Sequence, residues 1–176
     1  MGTVKPGWTG RFLEDFEVGD IYECSYGRTV TEADNIQLTL LTNNSNQIHF
    51  NREYGAQTEW GSTLVNSALT LSVVAGMSDV SYNGFALGWD KITLPNPVFA
   101  GDTLYSASEV LEVLEVRESR SRPGQGIRKV QTIGRKQDGS VGVHPVGHGV
   151  EARALTRSAP GPRRGLVQLM APWEPS

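Results

Sequence analysis

With 176 residues, 38% of them hydrophobic and 20% charged, the chain can bury one apolar core and is short for two. A net charge of -3 and an isoelectric point near 5.6 exclude a general attraction for nucleic acid. Cys24 is the only cysteine, so no intramolecular disulfide can form, and no stretch is long and apolar enough to read as a membrane span. Residues 1–12 lack the apolar run of a secretory signal, and the cytoplasm is the expected location.

Residues 1–10 carry glycine, proline and threonine around one large apolar group, Trp8, and read as an extended arm. The segment LEDFEVGD (13–20) closes on Gly19-Asp20, a turn that starts a strand over 21–30, where Tyr, Ile, Val and Thr concentrate. Thr31 opens a helix: Thr-Glu-Ala-Asp places a hydroxyl at the N-cap and a carboxylate three residues on, a capping box with Asp in place of Glu. Ile36, Leu38, Leu40 and Leu41 are expected to form its buried side, and it should end by Asn43. Residues 42–51, TNNSNQIHFN, form a polar loop with Ile48, His49 and Phe50 embedded in it. Such a loop sits at a surface, and its apolar triplet suggests that it dips into a cleft. A short helix is expected over 52–58, and Gly61 interrupts the chain before the next one.

The helix expected over 64–80 differs in kind. Val65, Ala68, Leu69, Leu71, Val73, Val74, Ala75 and Met77 fall on every side of a helical wheel, with no charge before Asp79. A helix that is apolar all round must be covered on all sides. This one is too short and too rich in Ser, Thr and Asn for a bilayer, so the cover should be protein, and the strand-rich remainder makes a curved sheet the expected wrapper. Asn66 and Ser67 lie in its first turn, where backbone N–H groups lack partners and the macrodipole is positive. An anion, or an oxygen acquiring negative charge, is favoured there.

Asn83-Gly84 ends that helix, residues 85–94 alternate as a strand, and Pro95 and Pro97 stop it. VLEVLEV (110–116) has a period near three that suits a helix or a strand; its valines and the preceding Thr103-Leu104-Tyr105 favour one long strand. Residues 122–126 are a turn, 127–136 the returning strand and Asp138-Gly139 a second hairpin turn. Residues 141–155 form the last strand, with Pro145, Gly147 and Gly149 marking a bulge or an edge. From Ser158 the prolines at 160, 162, 172 and 175 predict a poorly ordered tail. The expected organisation is one domain over 1–157 and a tail over 158–176.

This order of strand, two short helices, a buried helix and four strands resembles the α+β hot-dog fold, in which an antiparallel curved sheet wraps a long central helix. Four segments, FLEDFEVGD, NNSNQIHF, TLVNSALTL and LPNPVFAGDTL, resemble those of the MaoC-like dehydratases and (R)-specific enoyl-CoA hydratases, over roughly residues 10–156. The segment ESRSRPGQGI is similar to the single-domain branch of mesaconyl-CoA hydratases, also called β-methylmalyl-CoA dehydratases. The resemblance implies a hydro-lyase that reversibly hydrates a 2-enoyl-CoA, with a branched or carboxylated acyl chain such as mesaconyl. It implies no cofactor beyond the coenzyme A of the substrate. It also implies a homodimer, since in this fold the sheets of two subunits join and an open edge strand is an association hazard.

In those hydratases the catalytic loop reads Gly-Asp-x-Asn-Pro-Ile-His. Its histidine falls on His49 here, its asparagine on Asn46, its proline position on Gln47 and its aspartate on Asn44. Adding water across a double bond conjugated to a thioester needs one group to take a proton from water and an acid to protonate Cα. An imidazole can do either; a carboxamide can position water but cannot titrate. The family's His-Gly at the helix start is Asn66-Ser67, and because the family uses a backbone N–H to hold the thioester oxygen, Ser67 can still supply one. Asn66 either helps or caps the helix. The replacement of the acid by Asn44 keeps a second reading open, a non-catalytic acyl-thioester-binding or partner subunit, and a third and weaker one, a hot-dog thioesterase. Against these stands the plain reading in which His49 packs beside Phe50 and the asparagines satisfy turn backbone.

Arg120 and Arg122, beside the 122–126 turn, are the candidates for the coenzyme A phosphates. His144 and His148 lie four apart, but Pro145 and the nearby glycines argue against the helix that would make them metal ligands, so no metal is expected. Trp60 and Trp89 read as core or subunit contacts.

Overall fold

The computed structural model describes residues 10–78, 84–115, 125–145 and 150–155. Residues 1–9 of the N-terminal arm, Arg120, residues 122–124 of the expected turn with Arg122, His148 and the proline-rich tail lie outside the described residues, while Gln125 and Gly126, expected in that turn, already belong to a strand. A sheet of eight antiparallel strands is built on one long hairpin, β5 (Thr103–Glu115) with β6 (Gln125–Lys136). The free edge of β5 is shared by β1 (Ile21–Glu23) and β2 (Arg28–Thr29). The free edge of β6 is shared by β7 (Val141–Pro145) and β8 (Val150–Leu155). Outside these, β4 (Ile92–Thr93) pairs with β7 and β3 (Gly84–Gly88) with β8.

Three segments expected as single strands are therefore each divided in two, and two of the breaks have a visible cause. Gly27, between β1 and β2, passes so close to β5 that a Cβ would lie 2.7 Å from Thr103 Cγ2 and from the Tyr105 ring. Lys91, between β3 and β4, turns the chain with φ of 50°. The ambiguous VLEVLEV is strand, and its period of three follows from a register shift between Val110 and Glu112 that inserts an extra residue and breaks the alternation.

The helix α1 (Glu32–Leu41) starts on the expected box: Thr31 Oγ1 accepts from the Asp34 N–H at 3.2 Å, and the Thr31 N–H donates to Asp34 Oδ2 at 2.8 Å. Its buried side is not the one expected. Asn35 and Thr39 are buried, whereas Leu41 is 80% exposed and Leu40 is exposed with it. The reason is that α1 packs through the hydrogen bonds of Asn35 and Thr39 on the loop and helix of the candidate site, which leaves Ile36 and Leu38 half-buried and turns Leu40 and Leu41 outward. A short helix, α2 (Arg52–Ala56), follows, tied to α1 by the Arg52–Glu32 ion pair.

The apolar helix α3 spans Ser67–Gly76, shorter than the expected 64–80, because residues 64 and 65 run extended. Leu64 bridges Phe99, and the Val65 N–H donates to Val98 O at 2.9 Å. The helix lies on the sheet through Val74, which fills the space above Gly134 of β6; a Cβ there would come within 2.4 Å of Val74 Cγ2. Around it Val30, Val65, Met77, Val98, Leu104 and Val143 form the larger apolar cluster. The covering is one-sided: Thr70, Val74 and Met77 are buried, while Ser67, Ala68, Ser72 and Gly76 are exposed. The expectation of a helix enclosed all round is corrected in this single chain, because the sheet reaches only one face.

The Gly-Asp-Thr-Leu segment makes the corner into β5. Asp102 accepts from the Phe99 N–H at 2.9 Å and from the Gln137 amide at 2.8 Å, and pairs with Lys136 Nζ at 2.9 Å. Burial alone would raise its pKa, but the Phe99 N–H, the Gln137 amide and the Lys136 ammonium together hold it below the usual carboxylate range. A depressed folded-state pKa contributes stability that is present above the unfolded-state value and lost as pH falls through the folded one. Acid titration is thus expected to destabilise the domain below about pH 4. Asp102→Asn should cost about 1–2 kcal/mol at neutral pH and flatten that acid limb in chemical-denaturation curves.

Candidate active site

The loop after α1 is shaped by its asparagines. Asn43, where the hydratase motif has glycine, takes φ of 53°, the left-handed conformation that asparagine tolerates better than most residues and that ends a helix. Asn44 Oδ1 accepts from the Asn46 N–H at 2.9 Å, and Asn46 Oδ1 from the Ile48 N–H at 3.3 Å. These local turns bring residues 47–49 into a single helical turn, whose Ile48 carbonyl accepts from the Leu64 N–H at 3.0 Å.

His49 is thereby set against the start of α3. Its Nδ1 lies 3.0 Å from Leu64 O. A carbonyl can only accept, so Nδ1 carries the proton in this contact, and in the neutral ring Nε2 is left with its lone pair. That is the tautomer a general base requires.

At the helix start Asn66 is buried and acts as the N-cap: Oδ1 accepts from the Ala68 N–H at 2.9 Å, and Nδ2 donates to Thr39 Oγ1 at 3.3 Å. Ser67, the first helical residue, has a backbone N–H with no acceptor among the described residues, at the positive end of the helix dipole.

His49 and Ser67 line one cavity of about 240 Å³, together with Trp60, Leu64, Val65, Thr70 and residues 94–98. The 94–98 segment is anchored by Asn96 Nδ2, which donates to Val141 O at 2.9 Å. Asn44 is not part of this lining; its carboxamide oxygen is engaged in the turn that carries His49. Trp60 borders the cavity and Trp89 is exposed, so neither belongs to the core of this chain. His144 lies on β7, and no group of three or more His, Cys, Asp or Glu side chains that could hold a metal occurs among the described residues. No described helix is long and apolar enough to cross a membrane.

Asn35 belongs to the site, although no motif in the sequence marks it. It is 1% exposed, donates through Nδ2 to His49 O at 2.8 Å and Leu64 O at 2.9 Å, and accepts the Asn66 N–H through Oδ1 at 2.7 Å. The available signal was a pair of uncharged polar residues, Asn35 and Thr39, one helical turn apart and each followed by an apolar residue, Ile36 and Leu40.

A curved antiparallel sheet with a helix on one face, and a cavity where the helix N-terminus meets a histidine-bearing loop, define a hot-dog domain. A solved Mycobacterium tuberculosis protein described as a double hot-dog fold superposes with a TM-score of 0.74 over 87% of this chain and 46% of that one, at 15% identity. The chain belongs to the MaoC-like domain family, whose model matches residues 15–132. It is 30% identical over 128 residues to a β-methylmalyl-CoA dehydratase of Chloroflexus aurantiacus, covering 70% of this chain and 35% of that protein. A mesaconyl-CoA hydratase of Cereibacter sphaeroides is 31% identical over 130 residues, covering 69% and 34%. The chain thus spans about a third of the length of these two curated relatives.

Proposed function

We propose that this domain reversibly hydrates a 2-enoyl thioester of coenzyme A, as a hydro-lyase. The observation that carries the reading is the shared cavity: an imidazole with its Nδ1 proton committed to Leu64 O, and a helix-terminal N–H at Ser67. In the forward direction Nε2 of His49 takes a proton from water as the water oxygen bonds to Cβ of the substrate. The electron pair of the double bond moves toward the thioester oxygen, where the Ser67 N–H and the helix dipole stabilise the developing charge. The imidazolium then returns its proton to Cα if addition occurs on one face. Water, imidazole and thioester balance this reaction, so the proposal calls for no cofactor. The names of the two curated relatives support short carboxylated or branched acyl groups, mesaconyl above all.

Coenzyme A carries several phosphates, and Arg120 and Arg122, in the connection between β5 and β6, are the proposed contacts. A homodimer belongs to the same proposal. The exposed face of α3, the outward Leu40 and Leu41, and β3, which among the described strands pairs with β8 alone, offer surface for a second copy. Sedimentation at micromolar concentration should show the dimer, and a monomer would count against it. A coenzyme A thioester substrate also favours the cytoplasm as the site of action.

One observation favours a second reading, acyl-thioester binding or partner-subunit work without catalysis: no carboxylate lines the cavity beside His49 among the described residues. The test is enoyl absorbance with purified protein and crotonyl-CoA or mesaconyl-CoA. Its decay supports the hydratase. Binding without decay supports the second reading, and release of free thiol would point to a thioesterase.

A further inference from the structure

We infer that Asn35 is the positioning residue of this site, the group that fixes the histidine loop and the start of α3 relative to each other. The inference rests on the hydratase reading for its kinetic consequences and on geometry for its substance. Three backbone groups from two separate segments converge on one buried carboxamide: the carbonyl of His49, and the carbonyl of Leu64 with the N–H of Asn66. Two acceptors and one donor match the two N–H bonds and one oxygen of an asparagine, so its amide can adopt only one orientation.

The contacts bear directly on the two atoms that meet substrate in the proposed reaction. Leu64 O takes hydrogen bonds from both Asn35 Nδ2, at 2.9 Å, and His49 Nδ1, at 3.0 Å. Asn35 therefore holds the carbonyl that sets the tautomer of His49, and it also holds the His49 backbone. Through the Asn66 N–H it holds the residue immediately before Ser67, whose own N–H is the proposed oxyanion donor. No other described side chain bonds to both the loop and the helix start. A leucine at 35 would satisfy none of the three partners, and an aspartate would oppose carboxylate oxygen to two carbonyls.

The test uses Asn35→Leu and Asn35→Asp in the full chain, with folding verified by circular dichroism and thermal melting. With crotonyl-CoA, kcat is expected to fall about 100-fold while KM changes by less than about threefold, the pattern of a base displaced from its reacting atom. Added to His49→Ala, either substitution should cause a much smaller loss than in the parent, because the part of the effect that passes through the imidazole is already gone and only the part that passes through the Ser67 N–H remains. Nitrogen-15 shifts of the His49 ring, assigned by difference from His49→Ala, give a readout independent of turnover. The parent should show one tautomer protonated at Nδ1, and the variants an average of two. If Asn35→Leu does not fold, Asn35→Asp, which keeps the shape and an acceptor for the Asn66 N–H, carries the test. A folded variant with unchanged kcat and an unchanged ring spectrum would overturn the inference, as would losses that multiply with His49→Ala. A parent that binds crotonyl-CoA without hydrating it would defeat the hydratase reading alone; the ring spectra would then decide Asn35.

Discussion

Replacing His49 with alanine is expected to lower the rate of enoyl-CoA hydration by a factor of about 100 to 10,000, the usual weight of a general base. The size follows from the absence of a substitute: among the described residues that line the cavity, no other side chain can accept a proton near neutrality. The fold should survive, because the ring is only partly buried and its one hydrogen bond is to a carbonyl that Asn35 also satisfies. Asn44 supplies the contrast. Asn44→Asp keeps an oxygen for the Asn46 N–H, so the turn is retained and activity should be equal or higher. Asn44→Ala loses that bond and loosens the loop that carries His49, so it should fall between the parent and His49→Ala. Steady-state kinetics on purified variants of matched melting temperature would check the series. A His49→Ala protein as active as the parent would mean that the imidazole only packs. A loss on Asn44→Asp would mean that the carboxamide donates to substrate.

Leu104→Ala should produce the largest loss of stability from a single side chain, about 2–5 kcal/mol. Leu104 opens β5 from the Gly-Asp-Thr-Leu corner and is 0% exposed, in one cluster with Val30, Val98 and Val143. These three neighbours come from three different parts of the chain, held in place by the sheet and its connections, so they cannot collapse into the cavity without breaking backbone pairing. Methionine at 104, which conserves volume, should cost less than about 1.5 kcal/mol. Urea denaturation at fixed protein concentration would measure both. A Leu104→Ala loss below 1 kcal/mol would mean that the cluster relaxes freely, and that the packing of α3 on the sheet is looser than these contacts imply.

The local signals of the chain are legible in the sequence where they act within a few residues. The Thr31 capping box, the long strand through 110 and the Asp138-Gly139 turn depend on neighbours in sequence, and each is present. The MaoC-like family and the hot-dog fold were legible for a related reason: their motifs are short and stand in a fixed order along the chain. The boundaries of α3 and the division of three strands were not legible. They depend on where β5 and residues 98 and 99 pass, at the Gly27 contact and the Leu64–Phe99 bridge, and neither is a local property.

At the site, sequence alone determined which residues could carry chemistry: an imidazole at 49, a carboxamide where an acid was expected at 44, and an Asn-Ser pair at 66 and 67. Residue type sets proton affinity and hydrogen-bonding capacity before any folding occurs. Only the tertiary structure decided how those capacities are spent. Asn66 caps α3 with its oxygen and bonds Thr39 with its nitrogen, Asn44 closes a turn outside the cavity lining, and His49 gives its Nδ1 proton to Leu64. Asn35 shows why the two levels differ. Its partners lie 14 to 31 residues away, so its buried amide is visible only once the chain has brought three distant backbone groups to one point.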